Sequence, residues 1–382
     1  MAHGNTVLSQ ILRIFPRHQF DALAHRHLPT IKMRTFSPWT QFVAMVVGQL
    51  AGRDSLRGIV DAFSGQYRKL YHLGIKPFSR ATLARANKEN SASLFKELFE
   101  KLLVRCQALA PPNTSFRFRD AGKIYLLDAT VIQLPLSLFK WAEYRTSKGA
   151  VKMHMGISAD GHLPTFVDMT NGKKHEITVT RQKTFPMGSY LIFDRGYTDY
   201  QFYESLTKQK IYFVTLLKSN AMVEHGIKRR GRKSEGVLED RIINFKNTEG
   251  NYRLVRYLDK TSGEEYSFLT NATHLPAATV AQLYKERWQI ELFFKWIKQN
   301  LKVKSFVGTS ANAVQIQLLI ALCTYLMLKF FKFQSKLGQS ILQILRILQL
   351  NLFERRDLEE LFGSDKPQIP CNIGQLSLPL PL

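Results

Sequence analysis

The stretch Leu283-Tyr-Lys-Glu-Arg-Trp-Gln-Ile-Glu-Leu-Phe-Phe-Lys-Trp-Ile-Lys-Gln-Asn-Leu301 has the hydrophobic period of one long α-helix. At about 3.6 residues per turn, its apolar residues fall on one stripe, which we expect to face a core. The stripe consists of Leu283, Ile290, Phe294, Ile297 and Leu301.

A band of polar and aromatic side chains lies beside that stripe. It contains one carboxylate, three cations and two rings, namely Glu291, Arg287, Lys295, Lys298, Tyr284 and Trp288. A solvated helix face with ion pairs has a similar pattern. The large rings, and cations that outnumber the acid, favour a face that binds a polyanion. Lys285 and Glu286 lie off the band, and we expect them to be ordinary exposed surface.

The charge of the whole chain favours the same kind of partner. Among 382 residues, 54 Lys and Arg outnumber 30 Asp and Glu, which gives a formal net charge of +24. The basic residues are spread along the chain and do not form a tail that could dock on a membrane. Nucleic acid is therefore the favoured partner, and the aromatic residues, 12% of the chain, offer stacking surfaces for bases.

Several other classes of protein fit the sequence poorly. Cys106, Cys323 and Cys371 are far apart and lack metal-ligand spacing, so we expect neither a zinc site nor a disulfide framework, and a reducing cytoplasm fits. The N-terminus does not have the pattern of a signal peptide. The apolar segment 314–331 is long enough to raise the question of a membrane span, but polar residues such as Gln317 interrupt it, and we predict a buried core helix.

Changes in hydrophobic period divide the chain into an all-helical N-terminal domain, a mixed α/β domain, a C-terminal helical region and a loose tail. These parts cover residues 1–112, 113–310, 311–363 and 364–382. The mixed domain is predicted to carry a β-rich insertion at about 219–270 with a basic loop at 228–233. The C-terminal region is predicted to be helical over 354–362 as well.

The N-terminal domain shows clear helix starts. Ser37 is predicted to cap a helix with Pro38 in its first turn, and Ser55 and Ser79 are predicted to begin two more. Short helices with tight breaks fit a DNA binder of the helix-turn-helix type. They fit a packing or dimerisation module equally well, and the sequence leaves both open.

Two aspartates occupy strand positions where a charge is costly. Asp128 lies inside the apolar run Ile124–Leu134, which predicts a strand, and Asp194 ends a second short apolar run, with Gly196 for a sharp exit. A carboxylate in a buried strand requires a partner, and a metal ion is the usual one. Capping of a turn is the alternative for Asp128.

Asp128, Asp194 and Glu291 are therefore candidate metal ligands. A site made only of oxygen ligands suits Mg²⁺ or Mn²⁺ and not zinc. Two such ions can stabilise both the attacking and the leaving oxygen of a phosphoryl displacement. Since no P-loop or GxGxxG motif is present, we expect phosphodiester cleavage or strand transfer.

The long helix also carries four residues with the spacing Tyr-x2-Arg-x3-Glu-x6-Lys, namely Tyr284, Arg287, Glu291 and Lys298. With Leu-Asp128-Ala-Thr and Phe-Asp194-Arg-Gly-Tyr before it, this signature resembles the bacterial DDE transposases of the insertion sequence four family. The similarity is strong over residues 124–301. The stretch Ser37-Pro-Trp-Thr-Gln-Phe also resembles the N-terminal region often attached to these enzymes.

The resemblance implies an RNase H-like α/β core with a β-rich insertion, flanked by an all-α N-terminal domain and C-terminal helices. Asp128, Asp194 and Glu291 would be catalytic and would hold two Mg²⁺ or Mn²⁺ ions. The resemblance assigns DNA contacts to the other members of the band. Arg287 and Lys298 would grip phosphates, Tyr284 would contact the same backbone, Trp288 would displace a base, and Lys295 would be an additional basic contact.

The family's reaction is cut-and-paste transposition through a DNA hairpin at the element ends. By resemblance, the N-terminal region binds double-stranded DNA at the terminal inverted repeats, two protomers pair two ends, and the complex joins them to target DNA in the bacterial cytoplasm at the nucleoid. Two other readings stay open. One is an inactive, transposase-derived DNA-binding repressor, and the other is a metal-dependent nuclease without strand transfer.

Overall fold

The computed structural model describes residues 5–28, 36–113, 123–145, 148–229, 236–246 and 250–363. The predicted tail at 364–382 and most of the predicted basic loop at 228–233 lie outside these ranges. The N-terminal part of the chain is helical. Its helices are α1 (Val7–Leu12), α2 (Arg17–His27), α3 (Pro38–Leu50), α4 (Leu56–Ser64), α5 (Arg80–Glu89) and α6 (Ala92–Leu109).

Local capping chemistry explains where most of these helices begin. The side chains of Ser37, Ser55 and Ser79 each accept a hydrogen bond from a backbone N–H three residues later. The predicted starts of α3, α4 and α5 are therefore confirmed. Helix α2, which starts after Pro16 without a side-chain cap, was not among the predicted helices.

The middle of the chain forms one large sheet. Its strands are β1 (Ile124–Leu134), β2 (Glu143–Arg145), β3 (Lys148–Ser158), β4 (Leu163–Asn171), β5 (Tyr190–Ile192), β6 (Tyr212–Leu216), β7 (Val223–Lys228), β8 (Val237–Phe245), β9 (Tyr252–Leu258) and β10 (Glu265–Thr270). Two helices lie between these strands, α7 (Glu176–Thr180) and α8 (Tyr200–Lys208).

The strand order places β1 and β5 side by side near the centre of the sheet. Strands β1, β3 and β4 form an antiparallel meander, and β5 and β6 continue the sheet parallel to β1. The order is β4-β3-β1-β5-β6, and β2 also pairs with β3. The runs that carry Asp128 and Asp194 are therefore neighbours.

The predicted β-rich insertion extends this same sheet. Strand β10 pairs antiparallel with β6, and β9, β8 and β7 follow in that order. The insertion is confirmed, and its hydrogen bonds continue those of the central strands. Arg253 of β9 is almost fully buried and makes a bidentate ion pair with Asp240 of β8, with both N–O distances at 2.8 Å.

Helices from both ends of the chain cover one face of the sheet. The remaining helices are α9 (Ala277–Glu286), α10 (Trp288–Asn300), α11 (Ala311–Gln334) and α12 (Ile341–Asn351). Successive residues of β1 alternate between faces. Ile124 and Leu126 join a large core shared with α3, α6, α10, α11 and α12, whereas Tyr125 and Leu127 join a smaller aromatic core with α8.

The stretch predicted to be one long helix is two helices that meet at Arg287. The Arg287 N–H donates to the carbonyl of Tyr284, and the Ile290 N–H donates to the carbonyl of Arg287, so the turn is tightened to three residues. The prediction of one continuous helix is therefore wrong. Arg287 keeps helical φ and ψ angles of −53° and −30°, and the predicted apolar stripe is buried throughout. Glu286, expected to be exposed, is half-buried.

Helix α11 confirms the prediction of a buried core helix. It is the only described helix whose length and apolar composition would suit a membrane span, and most of it is buried inside the protein. It packs against α3, α5 and α6. The division into domains at residue 112 stays a prediction, and the helices on either side of that residue share one core.

The prediction of a helix over 354–362 is wrong. Asp357 Oδ1 accepts hydrogen bonds from the N–H groups of Glu359 and Glu360, and the chain makes only turns there. The Asp357 side chain thus starts a turn at Leu358. The backbone hydrogen bonds that follow, up to Gly363, form turns and not a regular helix.

Candidate active site

Neighbouring strands bring Asp128 and Asp194 together. In the parallel register of β1 and β5, Leu126 is opposite Ile192. Asp128 lies two residues further along β1, and Asp194 lies two residues beyond Ile192, just after the end of β5, so both come to the same end of this strand pair, and the charge of Asp194 acts on Asp128. Because side chains alternate along a strand, both aspartates point to the face that Leu126 and Ile192 share, which is the face covered by α10.

Asp128 is a largely buried carboxylate inside β1. It lies in the middle of a strand and not at a turn, so the alternative of a turn cap is wrong. Its Oδ1 accepts a hydrogen bond of 2.8 Å from the N–H of Ala129. Burial raises its pKa to about 7, the Ala129 N–H opposes the rise, and the charge of Asp194 adds to it. A positive charge beside Asp128 would therefore favour its ionised form.

Asp194 begins the short 3₁₀ turn Arg195–Tyr197 after β5 and caps it. Its Oδ1 accepts a hydrogen bond of 2.8 Å from the N–H of Gly196. A Cβ on Gly196 would lie 2.9 Å from that same oxygen. The glycine was expected to permit a sharp turn, but it does not adopt a positive φ. Its role is to let the backbone approach the carboxylate.

Glu291 reaches the same face from the first turn of α10. Arg287, one turn earlier, places Nη2 2.6 Å from Glu291 Oε1 and Nη1 3.9 Å from Asp128 Oδ2. The buried Nε of Arg287 has no hydrogen-bond partner among the described residues. The guanidinium therefore bridges the helix acid and the strand acid.

The three acids lie near one another without forming a closed set of ligands. Asp194 and Glu291 both raise the pKa of Asp128 through their charges. Within the described ranges, no three His, Cys, Asp or Glu side chains converge closely enough to hold a metal ion. The carboxylate oxygens are the ligand type that a hard divalent cation prefers. In this arrangement Arg287 supplies the positive charge between two of them.

Tyr284 and Trp288 border an open pocket next to Arg287. Tyr284 is half-buried with its ring centroid 5.2 Å from that of Phe268, and the Arg287 guanidinium lies 5.5 Å from the Tyr284 centroid. Trp288 is 56% exposed. The pocket has a volume of about 310 Å³, and aromatic residues form half of its lining. Those residues are Tyr257, Tyr266, Phe268, Tyr284 and Trp288.

The two lysines of the band have different surroundings. Lys295 is exposed. Lys298 is half-buried, and its Nζ donates a hydrogen bond of 3.0 Å to the carbonyl of Val131, three residues after Asp128 in β1. Burial, and then the charge of Lys304, lower the pKa of Lys298. An ammonium has three donors, so two of them stay available for a phosphate.

The cations that surround Lys298 were not among the residues predicted to bind DNA. Lys302, Lys304 and Arg346 line a cavity of about 360 Å³ together with it. The pair Lys302-Val-Lys304 follows closely after α10, which ends at Asn300, and could have indicated a basic surface. Arg346 comes from α12, and no local pattern connects it with that loop.

An aspartate in a central strand, a second just after the adjacent strand and a third acid on a covering helix are the arrangement of the RNase H-like class of nucleic-acid-processing enzymes. The chain belongs to the DDE transposases, because residues 120–327 match the family described as the transposase DDE domain. Members of this family act on DNA and in general use divalent metal ions. The resemblance indicated by the residue spacing is confirmed.

Relatives from three organisms carry transposase names. The relative named transposase y4zB from Sinorhizobium fredii is 32% identical over 285 residues, covering 72% of this chain and 78% of that protein. A Geobacillus stearothermophilus protein named for insertion sequence element IS5377 is 27% identical, covering 82% and 86%. A Synechocystis protein named for element IS4SA is 25% identical, covering 72% and 78%.

The N-terminal part of the chain matches a second family. Residues 3–76 match a domain family of unknown function, DUF4372. This range contains α1 to α4, and the chain is therefore a DDE transposase with an N-terminal domain to which that family assigns no activity.

Proposed function

We propose that the protein catalyses cut-and-paste transposition of an insertion sequence, with Asp128, Asp194 and Glu291 as ligands of two Mg²⁺ or Mn²⁺ ions. The observation that carries the proposal is the common face of these three acids. Asp128 lies in β1, Asp194 lies just beyond the end of the adjacent strand β5, and Arg287 links Glu291 of α10 to Asp128. When bound, the divalent ions supply the positive charge that stabilises an in-line displacement at phosphorus.

The residues around the acids position the DNA. Arg287 presents a planar fork of donors, which suits a phosphate as well as it suits Glu291. With the acids neutralised by bound divalent ions, Arg287 would be free to bind a phosphate of the scissile strand. Lys298 keeps two donors for the same backbone, Tyr284 contacts it beside Arg287, and the exposed Lys295 adds a further cation.

The reaction proceeds in four phosphoryl transfers, each of which breaks one P–O bond and forms another. Water cuts one strand, the freed 3′-OH attacks the opposite strand to close a hairpin, water reopens the hairpin, and the 3′-OH joins target DNA. A tight hairpin requires an unstacked base. Trp288 displaces that base, and the aromatic pocket beside it offers rings for stacking.

The partners follow from this chemistry. The substrate is double-stranded DNA, first at the terminal inverted repeats and then at the target. The N-terminal helices bind the repeats, and two protomers pair two element ends. The protein acts in the cytoplasm on the bacterial nucleoid.

The test is an in vitro reaction with Mg²⁺ and DNA that carries the element's own ends. Hairpin and strand-transfer products are expected from the wild type and should be lost in Asp128→Ala, Asp194→Ala and Glu291→Ala. Glu100→Ala, which removes an exposed carboxylate from α6, is the matched control and should keep activity. Binding without cleavage by the wild type would favour the repressor, and unspecific nicking would favour the nuclease.

A further inference from the structure

The cavity beside Lys298 is lined by cations and by no acid. Lys298, Lys302, Lys304 and Arg346 surround it, and its described lining includes no Asp or Glu. Lys304 and Arg346 are exposed, and neither pairs with a carboxylate of the described ranges. Burial, and after it the charge of Lys304, lower the pKa of Lys298. Cations held together in this way repel one another until an anion neutralises them.

Two buried glutamines fix the loop that presents these cations. Gln49 and Gln317 are 2% and 1% exposed. Gln49 Oε1 accepts from the Lys302 N–H at 2.7 Å. Gln317 Oε1 accepts from the Val307 N–H at 3.0 Å, and its Nε2 donates to the carbonyls of Lys302 and Ser305. The loop after α10 is therefore held in one conformation by buried side chains of α3 and α11, which lowers the entropy lost when it binds a ligand.

The basic surface continues across this loop to the N-terminal helices. A second cavity, of about 350 Å³, lies against Phe306 and Val307 and includes Arg57 and Arg80. Its described lining contains one acid, Asp54, whose Oδ1 lies 2.6 Å from Lys302 Nζ. The cations thus extend from Lys298, next to the acids, to the region that matches the domain of unknown function.

We propose that these two cavities form one groove for the phosphate backbone of duplex DNA. We call it the loop groove, and its members are Lys298, Lys302, Lys304, Arg346, Arg57 and Arg80. The proposal rests on the proposed action on DNA, and it goes further by giving the N-terminal domain part of a composite binding surface. Because phosphate contacts carry no sequence information, the loop groove holds any duplex so that its backbone leads to Lys298 and the acids.

The test measures binding without chemistry. A fluorescent 30-base-pair duplex of random sequence (about three helical turns) is titrated with protein in EDTA at several salt concentrations. In the double variant Lys304→Gln/Arg346→Gln, we expect roughly tenfold weaker binding and a salt slope smaller by about 2, since each phosphate contact contributes about one unit. Thermal unfolding should match the wild type, because both side chains are exposed.

The matched control removes two cations at the other end of the parallel strands. Lys123 precedes β1 and Lys208 ends α8, so both lie at the amino ends of the parallel strands, away from Asp128 and Asp194. Lys123→Gln/Lys208→Gln should keep the wild-type salt slope. Equal salt slopes and equal affinities for the two double variants would contradict the proposed loop groove.

Asp54→Asn gives a test of the opposite sign. It removes the acid from the loop groove and releases Lys302, so binding should tighten by roughly twofold to tenfold. Weaker or unchanged binding would contradict the proposal. The cleavage assay tests the proposed function, and the binding titration tests the loop groove. A protein that cuts no DNA can still bind it with a salt slope that depends on Lys304 and Arg346.

Discussion

Asp128 is a carboxylate whose charge the folded protein disfavours in the absence of metal. Burial raises its pKa to about 7, whereas the pKa of an aspartate in an unfolded chain is about 3.9. Below the unfolded value both states bind the proton, and Asp128 costs no stability. As the pH rises from about 4 to about 7, only the unfolded state releases the proton, so the cost grows across this window and is complete above it.

We therefore expect Asp128→Asn to stabilise the metal-free protein at pH 8. The free energy of unfolding should rise by roughly 1–4 kcal/mol at pH 8 and change little at pH 4. Urea unfolding of both proteins in EDTA at the two pH values measures the difference. An equal gain at both pH values would show that packing, and not ionisation, is responsible.

The same pair of proteins tests the metal site without any DNA. A cation that binds only the folded protein raises the free energy of unfolding by RT ln(1 + [L]/Kd), where [L] is the concentration of the free cation. Added Mg²⁺ should therefore raise the Tm of the wild type at pH 8 and raise that of Asp128→Asn much less. Glu100→Ala is again a suitable control, since it removes an exposed carboxylate far from β1 in sequence.

At the scale of helices and strands, local chemistry predicted much of the structure. The bounds of β1 agree with the predicted run Ile124–Leu134, because a β-branched apolar run stops at Pro135. The predicted cap of α3 at Ser37 is confirmed because capping involves only the neighbouring residues. Helix α2 was missed because its sequence is rich in Arg and His and only Phe20, Leu23 and Ala24 are buried.

Contacts between distant segments could not be read from the sequence. The break at Arg287 leaves the apolar stripe unchanged, so hydrophobic period does not reveal it. The bridge from Arg287 to Asp128 and the hydrogen bond from Lys298 to Val131 join segments more than a hundred residues apart in the chain. The order of acids along the chain indicated a common site, but only the sheet register explains why two of them are neighbours.

The break between α9 and α10 makes Trp288 the first residue of a new helix and leaves its ring exposed. If this ring displaces a base, Trp288→Ala should lower the ratio of hairpin to first-strand nick by roughly tenfold, while Tm stays near the wild-type value because the ring is solvated. Product yields on a denaturing gel measure the ratio. Leu292→Ala, on an exposed position of the same helix, should leave the ratio unchanged, and an unchanged ratio in Trp288→Ala would refute the wedge.

The whole molecule combines a strong net positive charge with a large core that joins the N-terminal helices to the sheet. The charge of +24 favours binding to DNA and opposes compaction through self-repulsion. The large core that joins the N-terminal helices, the sheet and α11 offsets that repulsion. Binding of DNA neutralises the surface, so the protein should be more stable on DNA than alone.

Because α11 packs against α3, α5 and α6 as well as lying in the core beside α10, a cavity in α11 should weaken both ends of the chain together. Leu322, 1% exposed, is a suitable site, and Leu322→Ala should cost roughly 2–5 kcal/mol. Native-state hydrogen exchange should show the same loss of protection for amides of α3 and of β1. Leu350→Ala, at a position 83% exposed, should change neither. Wild-type protection in α3 together with lost protection in β1 would mean that the N-terminal domain unfolds as a separate unit.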